Sequence, residues 1–325
     1  MRIHIQTGRN MVREITPEIW RAGVGAAGLA EGDFRVSFGH TPEDFHEAIG
    51  SAEVVIAGGG TVGRLRPFAA ASLKIYFSTS AGVDGLLPFD WLPAGAVVLN
   101  NSGVHATKTG EYAAMALLML NARLPEFIAG QHAGRWERHM TPSIRGRRVT
   151  VLGTGALGGA AAAQARHFGA VVTGVSRSGA AHAHCDRMRP TEALDEVLPE
   201  TDLLVIALPL TPATRLIMNA ARLALLPRGA GLVNVGRGEL IDQEALCDLL
   251  DAGALGGAIL DVFTPEPLPP GHRVWTTRNL VVTPHVSAAD PVTYYPDTLD
   301  VFFRNLAAWR AGEKLPNLVD LTHGY

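Results

Sequence analysis

At 325 residues the chain exceeds one typical core and suits two domains of roughly 150 residues each, and with 47% apolar residues each half can bury its own. Its 28 Lys and Arg against 31 Asp and Glu leave a formal charge of −3 and no dense basic run, so composition offers no electrostatic grounds for a nucleic-acid or anionic-membrane partner. Two cysteines, Cys185 and Cys247, make no disulfide framework and suit a reducing compartment, while the longest aliphatic run, AAMALLML at 113–120, is far short of the ~20 residues a bilayer requires.

The N-terminal MRIHIQ alternates apolar and polar residues as a strand does and lacks the charged-then-apolar pattern of a signal segment, so a soluble cytoplasmic protein is expected. Further strand-like runs follow at FRVSFG, EVVIAGG, LKIYFSTS and AVVLNN, separated by helix-compatible or Gly-rich segments. The segment from Glu111 to Leu124 is apolar on nearly every face, which predicts double burial, as a homodimer contact in preference to an interdomain core. A second series begins at RRVTVLG and continues through AVVTGVS, DLLVIALP, GAGLVNVG, LGGAILDVF and NLVVTPH. Alternation of this kind predicts an α/β protein with two doubly wound parallel-sheet domains. After His285 a helical pattern places Leu299, Phe302, Phe303, Leu306 and Trp309 on one face and ends near Gly312. It belongs to neither strand series and is expected to return to the first domain. The expected division is therefore residues 1–99 with 291–325 as one discontinuous domain, and residues 100–290 as a dinucleotide-binding domain.

The strongest single motif is VTVLGTGALGGAAAAQARHFGA, in which Gly153, Gly155 and Gly158 form G-x-G-x-x-G between a β-branched strand and an alanine-rich helix. The first glycine allows the tight turn, the second admits a pyrophosphate to the backbone, and the third lets helix and strand pack closely. Ala156 and Leu157 open the helix, whose N-terminus offers unpaired N–H groups and a positive dipole end to phosphates.

Eighteen residues past Gly158, at the end of the next strand, stand Ser176, Arg177 and Ser178. An NAD site usually carries Asp or Glu here to accept from the ribose hydroxyls, and a carboxylate would repel a 2′-phosphate. Two hydroxyls and a guanidinium can donate to one. Charge complementarity thus predicts NADP as the preferred cofactor, with NAD possible.

A second constellation carries the chemistry. LVNVGRGELID holds Arg237 after one strand, AILDVFTPEPLP holds Asp261 and Glu266 after another, and VVTPHVSA holds His285 after a third. Ligands of open α/β sheets bind outside the carboxyl ends of the strands, so these side chains are expected to converge. Together they suit reduction of a 2-oxo acid: the Arg neutralises the substrate carboxylate and polarises the carbonyl, the His supplies a proton, and a carboxylate holds the imidazole in its charged form.

With VTVLGTGALG, ALPLTPATRLIMN, LLPRGAGLVNVGRGELID, GAILDVFTPEPLP and VVTPHVSA in hand, together with STSAGVDGL at 78–86 and the tail AGEKLPNLVD, the chain resembles the D-isomer-specific 2-hydroxyacid dehydrogenases over essentially its whole length. The resemblance implies a flavodoxin-like substrate domain, a Rossmann coenzyme domain and an active site in the cleft between them. It implies Arg237 as the substrate-binding arginine, His285 as proton donor, Glu266 as its partner, and Asp261 as similar to the residue that bonds the nicotinamide carboxamide. Substrate carboxylate is placed on backbone amides around Ala81, Gly82 and Val83, where a Gly-containing turn can form an anion nest. Leu208, Pro209, Val235, Gly236 and Ser287 complete the candidate cofactor contacts. Leu208-Pro209 departs from the family, where His and a small residue often precede Pro, and Gly110 stands where alanine is common. The SRS segment and the tail LPNLVDLTHGY most resemble NADPH-preferring glyoxylate and hydroxypyruvate reductases. The alternatives on this scaffold are a nucleotide-sensing corepressor-like protein, or oxidation of formate or phosphite. Long disordered tails, usual in the former, are absent from the pattern; formate oxidation needs no proton donor like the Glu266 and His285 pair.

Other conspicuous residues have plainer readings. His182, His184 and Cys185 in AAHAHCD lack a matching second cluster, and no metal site is expected. Trp136, in AGRWERH, is expected to pack at a domain edge in preference to reaching a neighbouring subunit.

Overall fold

The computed structural model describes residues 1–7, 14–58, 60, 63–66 and 68–322; Gly59, which ends the EVVIAGG run, and the terminal HGY of the tail lie outside them. Two compact units are formed, Met1–Val104 with Asp290–Tyr325, and His105–Ala289.

The first unit is built on five parallel strands, β1 (Arg2–Gln6), β2 (Arg35–Gly39), β3 (Val54–Ala57), β4 (Ile75–Ser78) and β5 (Val97–Leu99), in the order β2-β1-β3-β4-β5. This is the flavodoxin-like order. All four residues of β3 and of β4 are buried because apolar layers cover both sheet faces. One layer joins Ile3, Ile5, Trp20, Val54, Phe77, Phe302 and Phe303; the other joins Phe45, Val55, Tyr76, Leu86 and Val98. Fully burying side chains of this size contributes about 1.5–3 kcal/mol each. The helix Pro17–Ala26 starts where the Thr16 hydroxyl accepts from the Ile19 amide and proline occupies the first turn. Its Gly23 is pressed against the late helix Tyr294–Ala311, where an added Cβ would stand 2.7 Å from Leu299 Cδ1. The late helix thus belongs to the first unit. Asn101 fastens it further, donating to the Thr298 hydroxyl at 2.8 Å and to the Thr79 carbonyl at 2.9 Å.

His4 sits on β1 with 1% of its surface exposed. The Gln6 side-chain amide donates to the Thr41 carbonyl at 3.1 Å, which orients its oxygen toward His4 Nε2 at 2.8 Å. Nε2 therefore carries the proton, and Nδ1 accepts from the Ser37 hydroxyl at 2.9 Å. Burial lowers the pKa of this imidazole, against smaller raising effects of Gln6 and Asp44. An unfolded histidine binds its proton near pH 6.5. As pH falls through that value the unfolded chain gains the proton first, so the stabilisation from neutral His4 is present above about pH 6.5 and is lost below it. The melting temperature of wild type is expected to fall more steeply between about pH 7 and pH 5 than that of His4→Gln. Parallel melting curves would show that His4 does not couple folding to protons.

The second unit carries β6 (Arg148–Leu152), β7 (Val171–Ser176), β8 (Arg187–Pro190), β9 (Leu203–Ile206), β10 (Gly231–Asn234), β11 (Gly257–Leu260) and β12 (Leu280–Val282). They form one parallel sheet in the order β12-β11-β10-β9-β6-β7-β8. The order reverses between β6 and β9, the topological switch point of a Rossmann sheet, beyond whose carboxyl ends dinucleotides bind. Again both faces are covered. Ala113, Ala116 and Leu117 of the helix Ala106–Asn121 join Ala161, Ala162 and Ala165 of the helix Ala156–His167 on one face, while Leu194, Leu223, Leu246 and Leu250 pack on the other. Gly110 faces the second of these helices, where an added Cβ would meet Ala160 Cβ at an ordinary 3.5 Å.

The apolar segment expected to run unbroken to Leu124 instead ends at Asn121. Arg123 adopts φ 56°, and a second helix starts at Leu124. Trp136 does not pack at a domain edge as expected: it is 93% exposed. Among the described residues no single helix is long and apolar enough to cross a membrane; the bent pair Ala106–Asn121 and Leu124–His132 meets that test only when taken together.

Candidate active site

The glycine motif lies at the switch point. Gly153 follows β6 with φ 93°, and a Cβ there would stand 2.8 Å from the Ala207 carbonyl oxygen at the end of β9. A Cβ at Gly158 would fall 1.7 Å from the Gly153 carbonyl oxygen, so only glycine lets the helix begin this close to the strand. Between them Gly155 caps the helix Ala156–His167 without a side-chain bond, and nothing lies within 4 Å of where its Cβ would be. A cradle of this form fits a pyrophosphate: open space at the cap, a helix N-terminus behind it, and Ala156 and Leu157 as its first residues. Leu208, just past β9, is a neighbour of both Gly153 and Gly236. Pro209 is exposed beside it, and its carbonyl accepts from the Thr214 hydroxyl at 2.7 Å. Ser176 ends β7 half-buried, and Arg177 and Ser178 are exposed in the turn that follows.

At the end of β10, Asn234 knots the next loop. Its side-chain amide donates to the Arg237 carbonyl at 2.9 Å, and its oxygen accepts from the Gly236 amide at 3.0 Å. Val235 and Gly236 are buried, while the half-buried Arg237 guanidinium donates to the Gly236 carbonyl at 2.9 Å.

Asp261, at the end of β11, is fully buried. Its carboxylate accepts from the Thr283 hydroxyl at 2.6 Å and from the Val286 and Ser287 amides at 2.8 and 2.9 Å. Its carbonyl accepts from the His285 amide at 2.9 Å. Three of about four acceptor positions of the carboxylate are thereby engaged by one loop. These bonds hold His285 at φ 54°, a left-handed conformation costing a β-carbon residue of order 1–2 kcal/mol. Such a conformation persists only where neighbours over-determine it. The result is an imidazole whose Nδ1 donates to Glu266 Oε2 at 2.8 Å, while the other Glu266 oxygen accepts from the Phe263 amide at 2.8 Å. A carboxylate only accepts, so Nδ1 carries a proton and Nε2 is left as the free position of the ring toward a ligand.

Two further side chains support the loop. The Tyr112 hydroxyl lies 2.6 Å from Thr283 Oγ1, and burial pushes its pKa up to about 12, so it stays a hydroxyl. His105 Nδ1 donates to the Ala288 carbonyl at 3.0 Å. Neither was singled out in the sequence, since both lie over a hundred residues from the loop they touch; nor was Thr283, whose only signal was its place in VVTPHVSA.

A sequence profile for the D-isomer specific 2-hydroxyacid dehydrogenase NAD-binding domain matches residues 114–287. The chain is 32% identical over 290 residues to glyoxylate/hydroxypyruvate reductase B of Pectobacterium carotovorum, covering 85% of this chain and 88% of that one. The chain belongs to the D-isomer specific 2-hydroxyacid dehydrogenase family. Glyoxylate reductase of Thermococcus kodakarensis is 31% identical over 263 residues, 78% of each chain. An NADPH-dependent glyoxylate/hydroxypyruvate reductase from Sinorhizobium meliloti, solved with NADP and sulfate, superposes with a TM-score of 0.83 at 28% identity, covering all of both chains. The chain is thus an enzyme of this dehydrogenase family, with a Rossmann-type NAD(P)-binding unit.

In this dehydrogenase Arg237, Asp261, Glu266 and His285 all follow carboxyl ends of β10, β11 and β12, as do Gly153 and Leu208 for β6 and β9. Ala81, Gly82 and Val83 follow β4 in the other unit, in a turn braced by Ser78, whose hydroxyl donates to the Ser80 carbonyl and accepts from the Ser80 amide. Cys185 Sγ stands 3.8 Å from His182 Nδ1, and no group of three or more His, Cys, Asp or Glu side chains that could hold a metal occurs among the described residues.

Proposed function

We propose that this enzyme reduces a small 2-oxo acid of the glyoxylate or hydroxypyruvate type to the 2-hydroxy acid, with NADP preferred and NAD accepted. The observation that carries the reading is the 2.8 Å Glu266–His285 pair, mounted on a loop whose geometry Asp261 enforces. His285 donates a proton from Nε2 to the carbonyl oxygen, Glu266 stabilises the imidazolium beforehand, and Arg237 neutralises the substrate carboxylate and polarises the carbonyl. The turn at Ala81, Gly82 and Val83 offers amides of the kind that bind a carboxylate. A reduced nicotinamide, when bound, supplies the hydride. Gly153, Gly155, Ala156, Leu157 and Gly158 would hold its pyrophosphate. Ser176, Arg177 and Ser178 would take the 2′-phosphate, and Leu208, Pro209, Val235, Gly236, Asp261 and Ser287 would line the remaining path. The engaged carboxylate of Asp261 makes its first duty the His285 loop, with one acceptor position left for a carboxamide. The names of the Pectobacterium, Thermococcus and Sinorhizobium proteins support the acid and the cofactor. Formate oxidation would have no use for so elaborate a proton donor.

A homodimer in the cytoplasm completes the proposal. Trp136 and Met140, 93% and 94% exposed, rim a cavity of ≈ 620 Å³ with Phe127 and Arg135, and Leu124 and Ile128 are exposed nearby. An apolar surface of this kind fits a second copy of the chain. Both cysteines are free, as a reducing compartment favours.

The deciding experiment mixes purified enzyme with NADPH or NADH and a panel of 2-oxo acids and follows loss of nicotinamide absorbance. Consumption of NADPH with glyoxylate or hydroxypyruvate is expected to exceed that with NADH. Turnover confined to larger 2-oxo acids, or to NADH, would overturn the corresponding part of the proposal.

A further inference from the structure

His105 is the residue in front of the helix Ala106–Asn121, and its side chain reaches 183 positions along the chain to the Ala288 carbonyl, 3.0 Å from Nδ1. Tyr112 lies seven residues further on, two helical turns away and so on the same face. Its hydroxyl meets Thr283 at 2.6 Å. The two contacts fall on either side of His285, at Thr283 before it and Ala288 after it. Asp261 grips the same segment from β11 through Thr283, Val286 and Ser287. The left-handed His285 is thus held from two directions, by a strand end and by one face of a helix.

We propose that His105 is a positioning residue for the proton donor: its Nδ1–H, bonded to Ala288, fixes the far end of the 283–288 loop and so keeps the His285 imidazole aimed along its bond to Glu266. A carbonyl only accepts, so Nδ1 must carry a hydrogen. Burial, foremost, and then the positive charges of His285 and Arg237 lower the His105 pKa, while its bond to Ala288 raises it. A neutral ring there supplies the hydrogen bond without adding a positive charge near Arg237. Beside that bond, the Ser287 amide is held by Asp261 at 2.9 Å and the Ala289 amide closes a short turn on the Val286 carbonyl at 3.0 Å, so the bond to His105 ties the loop end to the helix. Without it the strained His285 backbone would relax part of the time toward ordinary dihedrals, turning the ring off Glu266.

The role rests on the reductase reading for its consequence, although not for its geometry, and two side chains of similar size separate the outcomes. Asparagine at 105 can place its amide N–H near the position of Nδ1, whereas the glutamine amide falls near Nε2. With His105→Asn, hydrogen exchange of the His285, Val286 and Ser287 amides and kcat are expected to stay within about twofold of wild type. With His105→Gln, exchange of the 283–289 segment is expected to rise about five- to tenfold and kcat to fall about tenfold, with KM for the cofactor and the melting temperature nearly unchanged. Equal exchange in the two variants, or wild-type kcat in His105→Gln, would overturn the proposal. Exchange needs no substrate, so if wild type turned over no 2-oxo acid the exchange comparison would still decide what His105 does, and the reductase reading alone would fail.

Discussion

Replacing His285 by alanine is expected to lower kcat about 10²–10⁴-fold, the range typical of a lost general acid, while the dissociation constant for NADPH changes little. The imidazole is bonded to Glu266 and is not among the residues assigned to the cofactor, so cofactor affinity has no reason to follow it. A complication comes from the backbone. His285 stands at φ 54°, where alanine is strained by about 1–2 kcal/mol, so part of any loss in the alanine variant could come from the loop relaxing. Asparagine tolerates the left-handed region far better and has no proton to give at neutral pH, which makes His285→Asn the cleaner substitution. Both variants should lose turnover to a similar degree. Retained turnover in His285→Asn would move the proton-donor role to another residue; loss in alanine alone would assign the effect to backbone strain.

Arg177→Asp is expected to lower the ratio of kcat/KM for NADPH over NADH about 10²-fold or more, with kcat/KM for NADH near or above wild type. A charge-assisted hydrogen bond to phosphate contributes about 1.5–3 kcal/mol, each 1.4 kcal/mol being a factor of ten, and an aspartate adds repulsion where the guanidinium attracted. The same carboxylate can accept from the ribose hydroxyls of NAD, so one change acts on both cofactors in opposite senses. Arg177 and Ser178 are exposed, and folding should tolerate the substitution. An unaltered ratio would refute the phosphate-binding role of Arg177 and leave Ser176 and Ser178 as the remaining donors.

Where strands are covered on both faces, sequence and structure coincide. The runs VVIA, LLVI, GLVN and GAIL are wholly buried strands, and a short apolar run with Gly or Pro at its edges announces them. The strand that escaped detection is β8, Arg187–Pro190. Its RMRP has no apolar alternation because it lies at the sheet edge, where charges and proline are tolerated and discourage further pairing. The break at Asn121 was hidden for a related reason: the apolar pattern continues through Leu124 and Ile128, while the bend depends on the left-handed Arg123 between two good helix formers. Trp136 departs from the expectation because large aromatic residues usually pack within their own chain, whereas this one stands exposed.

Local sequence determined the parallel α/β construction, the glycine turn after β6 and the identity of the charged residues at strand ends. Each of these follows from neighbouring residues: a hydrophobic run, a required positive φ, or a turn after a strand. Tertiary structure alone decided that Asp261 organises the His285 loop, that His285 is held in a left-handed conformation, and that His105 and Tyr112 brace it from a helix more than 170 residues earlier in the chain. The reason is physical. A hydrogen bond's geometry depends on where the backbone brings donor and acceptor, and pairs this far apart in sequence meet only once the sheet and its covering helices have packed.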